Sequence, residues 1–373
     1  MFKKIFFTLV ICLIAVSASA KSYIDVNAKQ AILVDLDTNQ ILFEKNADEK
    51  MPTSSMSKVM TAYMVFEALK DKRIALDDKF RVSQKAHAKG GSKMFLKYND
   101  KVSVLDLLKG VIIQSGNDAT IALSEGLYGS EGAFSDYMTQ RAYEMGMNNS
   151  NFVNASGWPD PNHYSTARDL SVLATKIIEE FPEYYYIFSQ KNFEHNGIKQ
   201  GNRNPLLYRN MDVDGLKTGH TESGGYGLMA SAKRNGRRLV AVLNGMDSKQ
   251  ARADESAKLI EWGFNFFKAY NIVKSGTVLG SAKVFLGQES EVTYAVETDV
   301  KMSLSRLDFE KMTVTVEMQD SIKAPIMKGE QIATLKISVP EQEVITHPLF
   351  ATKDIKKAGF IKHLKTSVTN LFN

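Results

Sequence analysis

The stretch YGLMASAKRNGRRLVAVLNGM constrains the fold more than any other, because its centre is Asn235-Gly236. Asn and Gly are the residues that populate the left-handed conformations a two-residue hairpin turn needs, so the apolar runs on either side are predicted to be neighbouring antiparallel strands. A second hairpin is predicted far upstream in QAILVDLDTNQILFEKNAD, around the turn Asp37-Thr38-Asn39. Between the two, residues 59–69, 104–113, 119–127, 132–146 and 167–180 carry apolar side chains at steps of three and four, the helical period. Strands at the two ends of a helical block predict an α/β domain in which an antiparallel sheet is flanked by helices.

Beyond residue 271 the period changes to two, in segments such as KVFL, VKMSLSR, MTVTVEM and QIATLKISV. A separate small all-β domain is expected there. The final segment, residues 351–373, sets Ile361, Leu364, Val368, Leu371 and Phe372 at helical spacing among lysines and His363, which predicts a basic amphipathic helix suited to an anionic membrane surface. At the other end, Lys3 and Lys4 precede a short apolar run closing in Ala18-Ser19-Ala20, the pattern of a cleavable secretory signal. The expected organisation is therefore a leader over 1–20, a catalytic domain over 21–270, the β domain over 271–350 and an anchoring tail over 351–373.

Cys12, the only cysteine, lies inside the leader, so the exported chain has no thiol for disulfides, catalysis or metal ligation. The formal charge of +5 is concentrated in the leader lysines and in the tail, where five lysines face Asp354. The remaining body is close to neutral, which argues against nucleic acid as a partner. The six histidines, His87, His163, His195, His220, His347 and His363, form no HExxH pattern or close pair, so neither metal nor cofactor is expected.

The stretch PTSSMSKVMTAYM places Ser55 and Lys58 one helical turn apart. By itself it is compatible with a capped surface helix, Thr53, Ser54 and Ser55 satisfying first-turn amides. Two later stretches change its meaning: Ser115-Gly116-Asn117 between two helical patterns, and Lys217-Thr218-Gly219 leading into a predicted strand. Each tripeptide alone is an ordinary turn or strand entry; the order Ser-x-x-Lys, Ser-x-Asn, Lys-Thr-Gly is specific.

With these motifs the chain resembles the serine penicillin-recognising enzymes, and among them the low-molecular-mass D-alanyl-D-alanine carboxypeptidases of the penicillin-binding protein 5 and 6 type, peptidase family S11. Further matching stretches are GSKMFLKYNDKVSVLDLLKG, NFVNASGWPDPNHYSTARDL, NRNPLLY, ESAKLIEWGFNFF and KAPIMKGEQIATLKI. The chain departs from the pattern at Thr53, an extra residue between proline and serine, and at Trp158, where a smaller apolar residue is expected. The resemblance implies a penicillin-binding/β-lactamase-like catalytic domain at the periplasmic face of the inner membrane. It implies that Ser55 is acylated by the penultimate D-Ala of a peptidoglycan stem pentapeptide, or by β-lactam antibiotics. Ser115 would pass a proton to the leaving amine, Asn117 would bind the substrate amide, and the amides of Ser55 and His220 would hold the oxyanion. Lys217, Thr218, Gly219, His220 and, more weakly, Arg252 would face the substrate carboxylate.

The residues themselves add one demand: Lys58 can serve as a base only if neutral, which requires its pKa to fall by about 3 units. Burial and a second cation, expected to be Lys217, would supply the shift. Arg203, among apolar and Asn neighbours, is expected to tie loops together, and His163 to be a structural loop residue. A class A β-lactamase would carry a Glu-x-x-x-Asn pattern; Glu183 has no asparagine four residues on. A non-catalytic scaffold that only holds peptidoglycan is the other alternative.

Overall fold

In the computed structural model residues 24–319 and 321–359 are described. Both predicted hairpins are present: β1 (Gln30–Asp35) with β2 (Gln40–Lys45), and β4 (Gly225–Arg234) with β5 (Arg237–Met246). Asn235 and Gly236 have φ of 51° and 87°, the left-handed pair that this turn demands. With β3 (Val213–Thr221) they make a wholly antiparallel five-stranded sheet in the order β2-β1-β5-β4-β3.

The apolar runs of β4 and β5 do not alternate with polar residues because both sheet faces are covered. Ile32, Met229, Val240 and Val242 join the core of the helical block. Leu33, Leu228, Leu239 and Leu243 pack with Leu259 and Ile260 of α6 (Lys249–Phe266) on the other face. The helical block contains α1 (Lys58–Lys70), α2 (Val104–Ile112), α3 (Asn117–Tyr128), α4 (Glu131–Glu144) and α5 (Ala167–Glu180). Hydroxyl groups of Ser103, Ser130, Thr166 and Ser248 cap α2, α4, α5 and α6. Helix α1 is central: of its residues only Glu67 and Lys70 escape burial. It is therefore no surface helix, and an ammonium on its first turn must lie in the protein interior.

The second region starts at β6 (Lys268–Val273) and includes β7 (Val278–Phe285), β8 (Glu291–Ala295), β9 (Val300–Leu304), β10 (Thr313–Met318), β11 (Ile322–Lys323), β12 (Gln331–Ser338) and β13 (Ile345–Ala351). Strand β6 pairs with β9, and the others form a separate sheet, β10-β12-β13-β8-β7-β11, around its own core. A buried carboxylate joins the two regions: Asp35 accepts from Arg237 Nε at 2.7 Å and from the Ser303 hydroxyl, while Arg237 Nη1 donates to the Phe267 carbonyl at 2.6 Å.

The predicted helix over 351–373 needs correction at its start. Residues 351–359 complete the β region, with Ile355 bridging to Ile326 and Lys357 to Gly287. Ile355 is buried in that core, which accounts for the extended path. The predicted leader and residues 360–373 of the predicted tail helix lie outside the described residues.

Candidate active site

The nucleophile candidate is built by a tight turn. Ser54–Ser57 forms one turn of 3₁₀-helix running into α1, and Ser54 takes a left-handed φ of 52° to start it. Left-handed backbone costs a non-glycine residue roughly 1–2 kcal/mol, so the surrounding packing must hold it. Gly157 and Gly219 do so. Gly157, at φ 75°, lies so close that an added Cβ would strike the Ser54 carbonyl, and one on Gly219 would stand 2.9 Å from the Thr53 carbonyl. The hydroxyl-rich PTSS run does not cap the helix as composition suggests. Thr53 Oγ1 is instead 2.5 Å from Ser57 Oγ, and Ser57 Oγ is 2.7 Å from His163 Nε2.

This leaves the Ser55 hydroxyl to Lys58, whose Nζ is 2.8 Å away. The same Nζ donates to the Ser156 carbonyl at 2.6 Å, and Lys58 is 1% exposed. No carboxylate forms an ion pair with it among the described residues. Burial lowers its pKa to about 7, helped by the positive charges of Arg203 and Lys89 and opposed by Asp118. Arg203 and Lys89 join the cation expected from the sequence, Lys217, whose charge and that of Lys58 disfavour one another. Arg203 does tie loops, donating to Ser92 Oγ at 2.5 Å, but its charge also acts on the site.

A second serine–lysine pair completes the centre. Ser115, between α2 and α3, is also left-handed at φ 61°. Its hydroxyl accepts from Lys217 Nζ on β3 at 3.0 Å, and that ammonium also reaches the Thr218 carbonyl at 3.2 Å. Lys217 is buried and its pKa is pushed well below the usual lysine range, first by burial, then by the charges of Lys58, Arg203 and Arg252. Two desolvated ammoniums this strongly coupled do not both stay protonated near neutrality.

Asn117 opens α3. Its amide nitrogen donates to the Gly90 carbonyl at 2.9 Å, leaving the side-chain oxygen as an acceptor, and Asp118 beneath it accepts from the backbone of Met94 and Leu96. Thr218 and Gly219 are buried on β3, the sheet's edge strand, beside the nucleophile turn. His220 is exposed and packs its ring 4.0 Å from that of Tyr226. Arg252 is not a solvated helix residue. It is buried, its guanidinium lies 5.6 Å from the Tyr226 ring centroid, and its Nε has no hydrogen-bond partner among the described residues. The structure thus gathers Ser55 with Lys58, Ser115 with Lys217, and four cations, Lys58, Lys217, Arg203 and Arg252, around a region where, among the described residues, Asp118 is the carboxylate acting on Lys58.

Sequence reasoning missed the Ser156 carbonyl and the loop that presents it. Asn154 Oδ1 accepts from Ser156 N, Ser156 Oγ and Trp158 N, folding NASGW into the turn that ends against Ser54. The signal was the glycine between two larger residues, legible only with the turn's partner known. His163 accepts from Val153 N–H at Nδ1, so Nε2 carries the proton toward Ser57. Among the described residues no group of three His, Cys, Asp or Glu is placed to hold a metal.

A buried serine–lysine pair at the head of a central helix, faced by a second such pair on an edge strand, is the centre of a penicillin-recognising serine hydrolase. Comparison with known proteins agrees. Residues 15–248 match the family described as D-alanyl-D-alanine carboxypeptidase, and residues 267–357 match the penicillin-binding protein 5 C-terminal domain. The D-alanyl-D-alanine carboxypeptidase DacC of Escherichia coli K12 is 37% identical over 343 residues, covering 90% of this chain and 86% of that protein. The DacA enzyme of Haemophilus influenzae is 35% identical, covering 91% and 88%. The crystal structure of penicillin-binding protein 5 from Haemophilus influenzae superposes with a TM-score of 0.82 at 34% identity, over 90% of this chain and 99% of that one. Penicillin-binding protein D2 of Listeria monocytogenes, solved in an ampicillin-bound form, matches 65% of this chain and 99% of its own at 31% identity and a TM-score of 0.60. The chain belongs to the D-alanyl-D-alanine carboxypeptidase family, peptidase S11, and is a serine-type hydrolase with the two-region architecture of penicillin-binding protein 5.

Proposed function

We propose that this chain removes the terminal D-alanine from peptidoglycan stem pentapeptides through an acyl-enzyme on Ser55, and that penicillins acylate the same oxygen. The observation that carries the reading is the Lys58 amine. It is buried, unpaired by any carboxylate among the described residues, depressed to about 7 and 2.8 Å from the Ser55 hydroxyl. A neutral amine there accepts the serine proton as Oγ attacks the carbonyl carbon of the penultimate D-Ala. The developing oxyanion takes the backbone amides of Ser55 and His220, each donor contributing about 3 kcal/mol in such sites. The carbon–nitrogen bond then breaks, the departing D-alanine amine receiving a proton through Ser115 from the Lys58–Lys217 pair. Water opens the ester with Lys58 again as base.

The substrate carboxylate enters a region with surplus positive charge, where Thr218, His220, Lys217 and Arg252 receive it and Asn117 holds the preceding amide. A bound carboxylate favours the charged form of Lys217, which biases the shared proton away from Lys58 and keeps Lys58 basic. No such partner set calls for a metal or cofactor. Incubation with a labelled penicillin and peptide mapping is expected to place a persistent adduct on Ser55, and a D-Ala-D-Ala pentapeptide to release D-alanine. Rapid turnover of penicillin to the opened acid would favour the β-lactamase alternative. Absence of both reactions would favour the scaffold.

The same reading places the enzyme after export with 1–20 as leader, 21–270 as the catalytic domain and 271–350, extended by 351–359, as a β domain. The basic amphipathic stretch then rests on the anionic inner-membrane surface. Because 351–359 are part of the β region, truncation belongs at 360. The chain lacking 360–373 is expected to leave the membrane fraction and retain D-alanine release, and continued membrane retention would refute the anchor. No helix among the described residues is long and apolar enough to cross a membrane.

A further inference from the structure

The end of the β region beside Gly359, the last residue before the predicted tail, is built from three stretches far apart in sequence. Val284 and Phe285 of β7 pair in parallel with Ile322 and Lys323 of β11. Ala324 N donates to the Phe285 carbonyl at 2.9 Å, Ile326 bridges to Ile355, and Ala358 N donates to the Leu286 carbonyl at 2.8 Å. Val284, Ile322, Ile326 and Ile355 enter the core of the region. Alternation sends their neighbours outward, so Lys283, Phe285, Lys323 and Met327 are exposed, Phe285 by 45% and Met327 by 63%. Two exposed apolar side chains are ordinary on any protein surface; the charge gathered around these two is what sets this end apart.

Residues 283–289, 322–330 and 353–359 hold six lysines and three carboxylates, in a body that is otherwise close to neutral. The carboxylates are already engaged. Glu289 pairs with Lys353, Asp354 Oδ1 accepts from Lys328 N at 2.6 Å, and Glu330 Oε2 accepts from Met327 N at 3.0 Å, so the last two fix the turn that carries Met327 and Lys328 outward. Among the described residues the ion-paired lysines of the β region are Lys301, Lys336 and Lys353. Lys283, Lys323, Lys328, Lys356 and Lys357 are exposed and stand outside those pairs. We infer that this end of the β region is itself a membrane contact: the free lysines meet anionic lipid headgroups, and Phe285 and Met327 enter the boundary between headgroups and acyl chains. Connectivity favours a lipid surface over other acidic partners. The chain advances at most about 3.6 Å per residue, so a tail lying on a bilayer from residue 360 brings the end that holds Ala358 down to it. A stretch of 14 residues with Lys362 and Lys365 is also a marginal anchor by itself, and a folded second contact supplies what it lacks. The inference rests on the reading that the enzyme works at the membrane, and adds a surface that fixes how its body stands there.

Binding of the full-length protein to vesicles of phosphatidylethanolamine and phosphatidylglycerol tests it, with phosphatidylcholine vesicles for comparison. Affinity for the anionic vesicles is expected to weaken with salt and to fall about tenfold in the triple variant Lys283→Gln, Lys323→Gln, Lys328→Gln, whose tail is intact. Phe285→Ser with Met327→Ser is expected to lower it about fivefold. Position is read directly with Met327→Trp, whose added fluorescence should be quenched by brominated acyl chains. The same probe at Val314→Trp on β10, the opposite edge of the sheet, should not be quenched. All these positions are exposed and remote in sequence from Ser55, and unchanged acylation by labelled penicillin with an unchanged thermal midpoint shows that each variant is folded. Anionic-vesicle binding unmoved by the triple variant, or equal quenching at 327 and 314, overturns the inference. So does retention on peptidoglycan sacculi without vesicle binding, which would assign this face to the wall polymer. The chain lacking 360–373 separates the two contacts: it is expected to keep a weak, salt-sensitive affinity for anionic vesicles that the triple variant removes. Binding as tight as that of the full chain would refute the tail as anchor and leave this contact standing.

Discussion

Ser55 and Ser115 each meet a buried lysine, at 2.8 and 3.0 Å, but the two pairs are assembled in opposite ways. Ser55 and Lys58 share one helical turn, so their meeting is guaranteed once α1 forms and is buried. Ser115 and Lys217 are 102 residues apart and meet only because a left-handed turn between α2 and α3 faces the edge of the sheet. The local pair also gains a backbone acceptor from outside, the Ser156 carbonyl, whereas the distant pair turns back on its own strand at the Thr218 carbonyl. A pair fixed by local geometry suits the group whose proton must be moved with least reorganisation. A pair made across elements suits one that hands protons between substrate and base.

The largest expected effect breaks this division of labour at the nucleophiles. Ser55→Ala should abolish the penicillin adduct and lower D-alanine release by about 10⁴-fold or more, because no covalent route is left. Ser115→Ala keeps the nucleophile and is expected to cost on the order of 10²-fold, in the range of a lost proton relay. Equal losses in the two variants would erase the difference between the pairs.

Next come the lysines. Arginine cannot deprotonate, so Lys58→Arg should slow acylation by on the order of 10³-fold, whereas Lys217→Arg keeps a cation for the carboxylate and should cost about tenfold. In the wild type the acylation rate is expected to rise with pH through about 7 and then level, as Lys58 loses its proton. Stopped-flow acylation across pH checks both. Stability follows the same sign. The folded pKa lies below the unfolded one, so the unfolded chain binds the extra proton, and folding gains stability as pH rises from about 7 toward 10.5.

The contrast also explains what could be read from the chain. The Ser55–Lys58 pair, the Asn235-Gly236 hairpin and the helices over 59–69 and 167–180 are local patterns, and each is where the sequence places it. The Ser115–Lys217 meeting was legible only as an order of motifs, since nothing in either stretch encodes its partner. The Ser156 carbonyl is a backbone atom of a loop, and backbone acceptors leave no side-chain signature. Arg203 was legible as a loop tie through Ser92, but its action on Lys58 is electrostatic at a distance and needs coordinates. The path of 351–359 was hidden because Ile355 fits an amphipathic helix and a buried bridge equally well.

A third effect is smaller and concerns what holds the local pair. His163, with Nδ1 accepting from Val153 N–H, donates through Nε2 to Ser57 Oγ, which also shares a hydrogen bond with Thr53 Oγ1. Burial, aided by the charge of Lys58 and opposed by Asp160, lowers its pKa to about 4, so the ring stays neutral. Its folded pKa is below the unfolded value near 6.5. The contribution is complete above that value and declines as pH falls from 6.5 to 4, by up to about 3 kcal/mol. Denaturant melts at pH 7 and pH 4.5 are expected to show this loss in the wild type and a reduced one in His163→Asn, with Ser55 acylation at pH 7 lowered a few-fold as the turn loosens. A wild-type midpoint unchanged between the two pH values would separate His163 from the nucleophile turn.

The finest test is Arg203. Its charge acts on both lysines, and its side chain is accessible to solvent, so its influence is partly screened. Arg203→Gln is expected to let the Lys58 pKa rise by about half a unit, shifting the acid limb of acylation upward and lowering the rate about threefold below the limb while leaving the plateau in place. High salt should reproduce part of that shift in the wild type and little of it in the variant. A plateau that falls without any shift of the limb would mean that Arg203 matters through its bond to Ser92 and the position of the loop, and not through its charge. Lys58 would then owe its neutrality mainly to burial on α1, and the local pair would stand without help from across the site.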